Sequence, residues 1–226
     1  MNNRNELNCG AVYLIKAVAD DLLVVNAARV SFGRESEDLT DADKGLIKFL
    51  MRHRHGTPFE HNCFIFKVEA PIFVAREWFR HRIGSFNEYS GRYSEMIDQA
   101  YIPEVGAVRT QVGKPGSYTF EQMEIEVANE SRSLIEQSHA LAFDAYKTLL
   151  GLGVAKELAR VVIPVGSFTE FYWTVNARSL MNFLSLRTHA DAQLEIRLLA
   201  GLVEQHFAEM MPVTYEAWNE AGRVAP

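Results

Sequence analysis

The densest group of chemistry-bearing residues is Arg76–Arg92, REWFRHRIGSFNEYSGR, with four arginines, one histidine and four aromatic rings in seventeen residues. An arginine fork makes bidentate, charge-assisted bonds to a phosphate, and adjacent rings can stack on a planar heterocycle. The plain alternative is a solvated, arginine-rich helix end followed by a loop. Gly84 and Gly91 punctuate the segment, so its second half is not expected to stay helical. If 86–92 is extended, Glu88, Ser90 and Arg92 fall on one side, placing a hydroxyl beside a guanidinium. That pairing suits a phosphate monoester.

A second group is Asn176–Arg187, NARSLMNFLSLR. On a helix Arg178 and Asn182 share a face, and Leu180, Phe183, Leu184 and Leu186 supply the core stripe. The Asn182 amide, flanked by Met181 and Phe183, needs a specific partner. Arg187 lies five residues beyond Asn182 and is expected to point elsewhere, toward a second ligand. Ordinary helix capping is the competing account of these side chains. Arg160, in ELARVVIP, reads alone as a surface arginine. His53, His55 and His61, with Cys63 beyond, are metal-ligating types, but their spacing matches no zinc pattern and no HExxH or CxxC accompanies them. No metal site is assigned. Thr57-Pro58 reads as the start of a turn, with Glu60 and His61 leading into a strand.

These groups need elements to hold them. Residues 11–15 read as a short strand and 20–31 as a helix with Asp20 or Asp21 near its start. The polar stretch 33–41 reads as a turn. Over 41–53, Leu46, Ile47, Leu50 and Met51 recur at helical spacing, with Asp41 as N-cap. His61–Glu69 alternates Cys63, Ile65 and Lys67 against Phe64, Phe66 and Val68, which predicts a strand. Pro71 suits the first turn of a helix through Trp78 and Phe79. Residues 103–118, rich in Gly and Pro, read as a surface loop. From Thr119 to about Leu150 the pattern predicts one long amphipathic helix with Met123, Val127, Leu134, Leu141 and Tyr146 in the core. A shorter helix over 155–163, a strand over Phe168–Thr174 and helices over 177–189 and 192–211 complete an α plus β mixture with few strands.

Composition bounds the function. The 226 residues carry 23 Lys plus Arg against 29 Asp plus Glu, a net charge of −6, with 48% hydrophobic and 23% charged residues. This excludes a disordered tail, a fibre and a small disulfide scaffold. A compact monomer of this size would expose about 10,000 Å². The acidic balance argues against a general nucleic-acid binder. No apolar run approaches the ~18 residues that span a bilayer. The two cysteines, Cys9 and Cys63, fit a reduced cytoplasmic protein.

Taken together the blocks form a resemblance. RHRIGSFNEYSGR, Arg80–Arg92, fits the pattern of RHR, seven residues, Ser that marks flavin-dependent thymidylate synthases. AARVSF at 27–32, HGTPFEH at 55–61, APIFVAREWFRHR at 70–82 and FYWTVNARSLMNFLSLR at 171–187 match in order, so the resemblance covers about residues 11–212. It implies one α+β domain over 1–226, with a small, mostly antiparallel sheet packed by several long helices. It also implies a homotetramer with shared active sites, FAD as cofactor, NADPH as reductant, methylenetetrahydrofolate as carbon donor and dUMP as methyl acceptor, with neither nucleic acid nor membrane as partner.

Residue by residue, Thr57, Arg80, His81, Arg82 and Glu88 resemble flavin-contacting positions, as do Asn176, Ala177, Arg178 and Asn182. Ser31 and His55 are similar to cofactor-adjacent ones. Glu77, Trp78, Phe79 and Arg80, then Glu88, Tyr89, Ser90, Gly91 and Arg92, with Arg160 and Arg187, match positions that hold dUMP. Arg187 matches the residue that assists ionisation of the uracil ring. The chain departs from the pattern at Glu77, where many relatives carry Gln, and at Tyr89 and Phe86. A carboxylate at position 77 would repel a phosphate unless it turns away or only its backbone contributes.

Neither cysteine sits in the Pro-Cys-His context of a thiolate nucleophile, so the resemblance implies hydride delivery from reduced flavin and no sulfur attack on carbon 6. The rival from a different class is a single-stranded RNA binder using Arg80, Arg82 and Arg92 with Phe79, Phe86 and Tyr89 as stacking platforms. The negative net charge weighs against it. A metal-dependent hydrolase built on the histidines is a further rival.

Overall fold

In the computed structural model, which describes residues 5–114 and 116–226, the alternation at Cys63–Val68 becomes the central strand. That strand, β3 (Cys63–Pro71), buries Phe64, Phe66 and Val68 completely and leaves Cys63, Ile65 and Lys67 partly exposed. It pairs antiparallel with β2 (Gly10–Val18) on one side and β7 (Phe168–Asn176) on the other. The sheet is closed by β1 (Asn5–Leu7) and β4 (Ser85–Glu88), in the order β1-β2-β3-β7-β4, every pair antiparallel. The expected α+β class and antiparallel sheet are both present.

Helices α4 (Ile72–Trp78), α7 (Ala177–Arg187) and α8 (Leu194–Met210) cover the buried face. There Trp78 packs on Phe183 at 4.6 Å between ring centroids and on Trp173 at 5.3 Å. This aromatic contact locks α4 to α7, the two helices that carry the site. Helix α1 (Asp21–Arg29) is capped by Asp20, whose carboxylate accepts from the Leu23 N–H at 2.6 Å. Helix α2 (Asp41–Arg52) is capped by Thr40, not by Asp41 as expected. Thr40 and Asp43 form a reciprocal capping box, which Asp41 cannot because its N3 residue is Lys44. Residues Thr57–Glu60 form a short helix, α3, where a turn was expected.

Four further expectations fail. The Gly/Pro-rich stretch 103–118 is not all loop: β5 (Arg109–Lys114) and β6 (Ser117–Gln122) form a separate hairpin. Its turn includes Gly116 at φ +86, a left-handed conformation that favours glycine. The long helix α5 accordingly begins at Ile125, not Thr119, and runs to Gly151. Its core face is Ala128, His139, Phe143 and Tyr146, so of the five expected core residues only Tyr146 is buried. Leu134 and Leu141 are 60% and 72% exposed. The apolar stripe was legible, but it faces outward because α5 meets a small satellite core with Ala159 rather than the sheet. The helix expected over 155–163 is a single turn, α6 (Lys156–Ala159), followed by a 3-10 turn at Arg160–Val162.

The sequence reading placed no element beyond residue 211, yet α9 (Pro212–Glu220) follows α8 directly. Its amino end is held by the buried Asp21 carboxylate. That group accepts from the Val213 N–H (2.9 Å), the Thr214 N–H (2.8 Å) and the Thr214 hydroxyl (2.6 Å). No described helix is long and apolar enough to cross a membrane.

Candidate active site

The site forms where the loop after α4 crosses the exposed flank of α7. Asn176 caps α7, its side-chain oxygen accepting from the Ser179 N–H at 2.8 Å, so the helix starts in the position that the sequence spacing requires. Arg178 and Asn182 then fall on one face, and both line a cavity of about 530 Å³. Arg80, His81 and Arg82 line it from the loop. Trp173 contributes from β7, its buried indole N–H lacking a hydrogen-bond partner. Arg178 is oriented by Glu60 (Nη1 to Oε1, 2.6 Å) and by the Pro226 carbonyl (2.5 Å). Gly56 supports it from behind: a Cβ there would lie 2.5 Å from Arg178 Nε.

Arg187 lines the same cavity, although its position five residues beyond Asn182 was expected to point it elsewhere. One more turn of helix and the length of the arginine side chain bring it back to the loop. Its Nε–H donates to His81 Nε2 at 2.9 Å, its Nη1 to the Glu77 carboxylate at 3.0 Å and its Nη2 to the Glu77 backbone carbonyl at 3.3 Å. The accepting Nε2 must be unprotonated. Consistently, burial and then the Arg187 charge hold His81 down at about 4, so the ring is neutral near pH 7. Burial raises the Glu77 carboxyl above its ordinary value, against the pull of Arg187 and with help from Glu195. The Glu77 carboxylate is turned to Arg187, the arrangement in which it would not face a phosphate.

A second cationic group lies on the far side of β4. The strand ends at Glu88 and the chain turns at Ser90, whose carbonyl accepts from the Tyr93 and Ser94 N–H groups. The expected single extended face of Glu88, Ser90 and Arg92 is therefore absent. The turn, made at the buried Gly91, brings the segment against Arg160 instead. Arg92 pairs with Glu157 at 3.4 Å, and Arg160 Nε donates to the Glu157 carbonyl at 3.4 Å. Ser90, Gly91, Arg92 and Arg160 thus meet as the phosphate reading asks. Glu157 is a member that the sequence reading missed. Glu88 instead accepts from the Thr169 hydroxyl (2.8 Å), and the Tyr89 hydroxyl donates to the Glu95 carbonyl (2.6 Å).

The remaining expected residues scatter. His55 and Thr57 line a separate cavity of about 400 Å³ together with Ala28, and Ser31 donates to the Ala28 carbonyl at 3.0 Å. Gly56 lines that cavity and backs onto Arg178, so the two cavities share a wall. Trp78 and Ala177 are wholly buried, so their side chains reach no ligand in this fold. Phe79 and Phe86 pack on each other and on Phe171, which removes them as open stacking platforms. Among the described residues no group of three or more His, Cys, Asp or Glu is placed to hold a metal ion; His53 packs on Phe49 at 4.2 Å instead. Glu60 and Trp173 at the main cavity were also missed. Glu60 lay in the quoted HGTPFEH block, and its signal was the acid three residues after Thr57.

The residues fit a planar, anionic cofactor. Four guanidiniums, Arg80, Arg82, Arg178 and Arg187, and the Asn182 amide supply donors along the wall, and Gly84 lets the loop lie close over the wholly buried Trp173 ring, where a Cβ would come within 3.0 Å of the indole nitrogen. The site thus defines a class: antiparallel α+β proteins with a cationic, tryptophan-floored cavity between one helix and one arginine-rich loop.

Comparison narrows this. The family model for thymidylate synthase complementing protein matches residues 13–213. The chain is 48% identical over 212 residues to a flavin-dependent thymidylate synthase of Thermosipho africanus, covering 94% of this chain and 92% of the relative. It is 45% identical over 229 residues to one of Tropheryma whipplei, covering 95% and 94%. It superposes on the UMP/dUMP methylase PolB of Streptomyces cacaoi, solved with 5-Br dUMP, with a TM-score of 0.88 at 43% identity, covering 95% and 97%. The chain belongs to the thymidylate synthase complementing protein family.

Proposed function

We propose that this protein methylates carbon 5 of dUMP to give dTMP. The carbon comes from methylenetetrahydrofolate and the electrons from NADPH by way of FAD, with no cysteine nucleophile. The observation that carries this reading is the cavity in which Arg80, Arg82, Arg178 and Asn182 surround a Trp173 floor with Arg187 in the same wall. The similarity to enzymes named for this flavin reaction, and to a methylase solved with a dUMP analogue, supports the choice of substrate.

A methylene carbon must gain a hydride to become a methyl group, and FAD bound here would supply that hydride once NADPH had reduced it. The chain does the rest by position and charge. Arg80, Arg82 and Arg178 would hold the cofactor by charge, and Asn182 would add a hydrogen bond to it. Arg92, Ser90 and Arg160 grip the nucleotide phosphate. Arg187, fixed by Glu77 and His81, stabilises negative charge developing on the pyrimidine, an effect worth about 3–4 kcal/mol for one preorganised donor. Cys9 is a poor nucleophile because burial, and then Glu195, push its thiol up to about 11.

The exposed surface supports an assembled state. The chain exposes 13000 Å², more than the roughly 10,000 Å² of a compact monomer of this mass. The outward Leu134 and Leu141 and the exposed β6 strand contribute to this area. A homotetramer with shared sites would cover these and bring the two cationic groups of different subunits onto one nucleotide.

The test is the absorption spectrum of the purified protein, followed by dTMP formation from dUMP, NADPH and methylenetetrahydrofolate. We expect flavin bands and turnover, a kcat lower by about 10²–10³-fold in Arg187→Ala with flavin retained, and turnover retained in Cys9→Ala and Cys63→Ala. Protein that takes up no flavin when it is offered overturns the reading.

A further inference from the structure

The Arg187 guanidinium is held by one residue at two points. Glu77 accepts with its carboxylate from Nη1 at 3.0 Å and with its own backbone carbonyl from Nη2 at 3.3 Å, while His81 takes the Nε–H at 2.9 Å. A guanidinium carries five N–H groups, so two remain for a ligand. Glu77 does not line the cavity, whereas Arg187 and His81 do. Its carboxylate therefore acts on the guanidinium from behind.

The geometry is rigid on both sides. Glu77 precedes Trp78, which is fully buried against Phe183 of α7, and Arg187 closes the same α7. The core thus fixes the distance between the two backbones. A planar fork that must satisfy two acceptors of one residue and the His81 ring together has a single orientation.

We propose that Glu77 is a positioning residue: it orients Arg187 so that the two free N–H groups face the reacting ring. The proposal rests on the dUMP-methylating reading for its kinetic consequence, but not for its geometric one. Glutamine at this position keeps an acceptor and removes the charge, so it preserves the orientation. Alanine removes the side-chain acceptor, so Nη1 loses its partner and only the backbone carbonyl and His81 are left to hold the fork.

The test combines crystal structures with steady-state kinetics of the wild-type holoprotein, E77A and E77Q. In E77A the guanidinium is expected to leave His81. The kcat for dTMP formation falls by about 10- to 100-fold, while KM for dUMP stays within about threefold. In E77Q the Arg187–His81 contact persists and kcat returns to within about fivefold of wild type. If E77A does not fold, E77M, which fills the volume without an acceptor, is read in its place. An unmoved Arg187 in E77A overturns the proposal, as does equal impairment of E77A and E77Q, or a rise in KM with kcat unchanged. If the wild-type protein makes no dTMP, the functional reading fails alone, and the position of Arg187 in the variants still decides the proposal.

Discussion

Acid should weaken the fold before it loosens Arg187, because folded His81 stays neutral, and so keeps accepting the Arg187 Nε–H, down to a pH of about 4. The folded ring protonates at about 4 against an ordinary value of 6.5, chiefly through burial and secondly through the Arg187 charge. Between these two values the unfolded chain binds a proton that the folded chain refuses. Stability therefore falls as pH drops through 6.5 and stops falling below about 4. The full displacement sets a ceiling of about 3 kcal/mol. The ring is only partly buried and water screens it, so about 1–2 kcal/mol is expected. His81→Gln isolates this contribution, since a glutamine oxygen can accept from the same N–H and does not titrate. Urea unfolding of both proteins at one concentration, from pH 7 to 4.5, should show the wild type losing about 1–2 kcal/mol relative to the variant. Parallel pH profiles would mean that burial and Arg187 do not hold the ring neutral.

Two substitutions probe the frame around the site. Asp21→Ala removes a buried acceptor from two backbone amides and one hydroxyl at the start of α9. It should cost about 2–3 kcal/mol in urea unfolding, and a loss under about 0.5 kcal/mol would contradict the capping role. Gly56→Ala sets a methyl group 2.5 Å from Arg178 Nε, which only the flexible side chain can relieve. Stability should change by less than about 1 kcal/mol. Flavin affinity, followed by fluorescence titration, should weaken about tenfold; unchanged affinity would remove Arg178 from the cofactor's partners.

Local pattern carried much of the fold. The strict alternation of Cys63 to Val68 and the helical spacing of Leu46 to Met51 each follow from burial of one face, and both elements stand where expected. Arg178 and Asn182 were placed together by helix geometry alone. The failures share a different cause. Composition marked Gly113 and Gly116 as loop residues, but a tight hairpin needs glycine as much as a loop does. The stripe through Leu134 and Leu141 looks identical whether it meets the same chain or another surface, so amphipathicity could not say which way it faces. Arg187 was misdirected because a helical wheel ignores the reach of an arginine toward a neighbouring helix. Glu157 joined its cluster only through the turn at Ser90, a tertiary event. The residue types of the site were thus legible, and their convergence was not.

The Asp21 clasp has a consequence for how the molecule comes into being. It joins groups 192 and 193 residues apart in the chain, a contact that cannot form during most of synthesis. Until α9 leaves the ribosome, the Asp21 carboxylate has only water as a donor, and the aromatic layer under α8 and α9 stays open. Closure over so long a span adds entropy to the barrier but little to the final balance. Maturation should therefore end with α8 and α9 closing over a sheet that β7 has already joined.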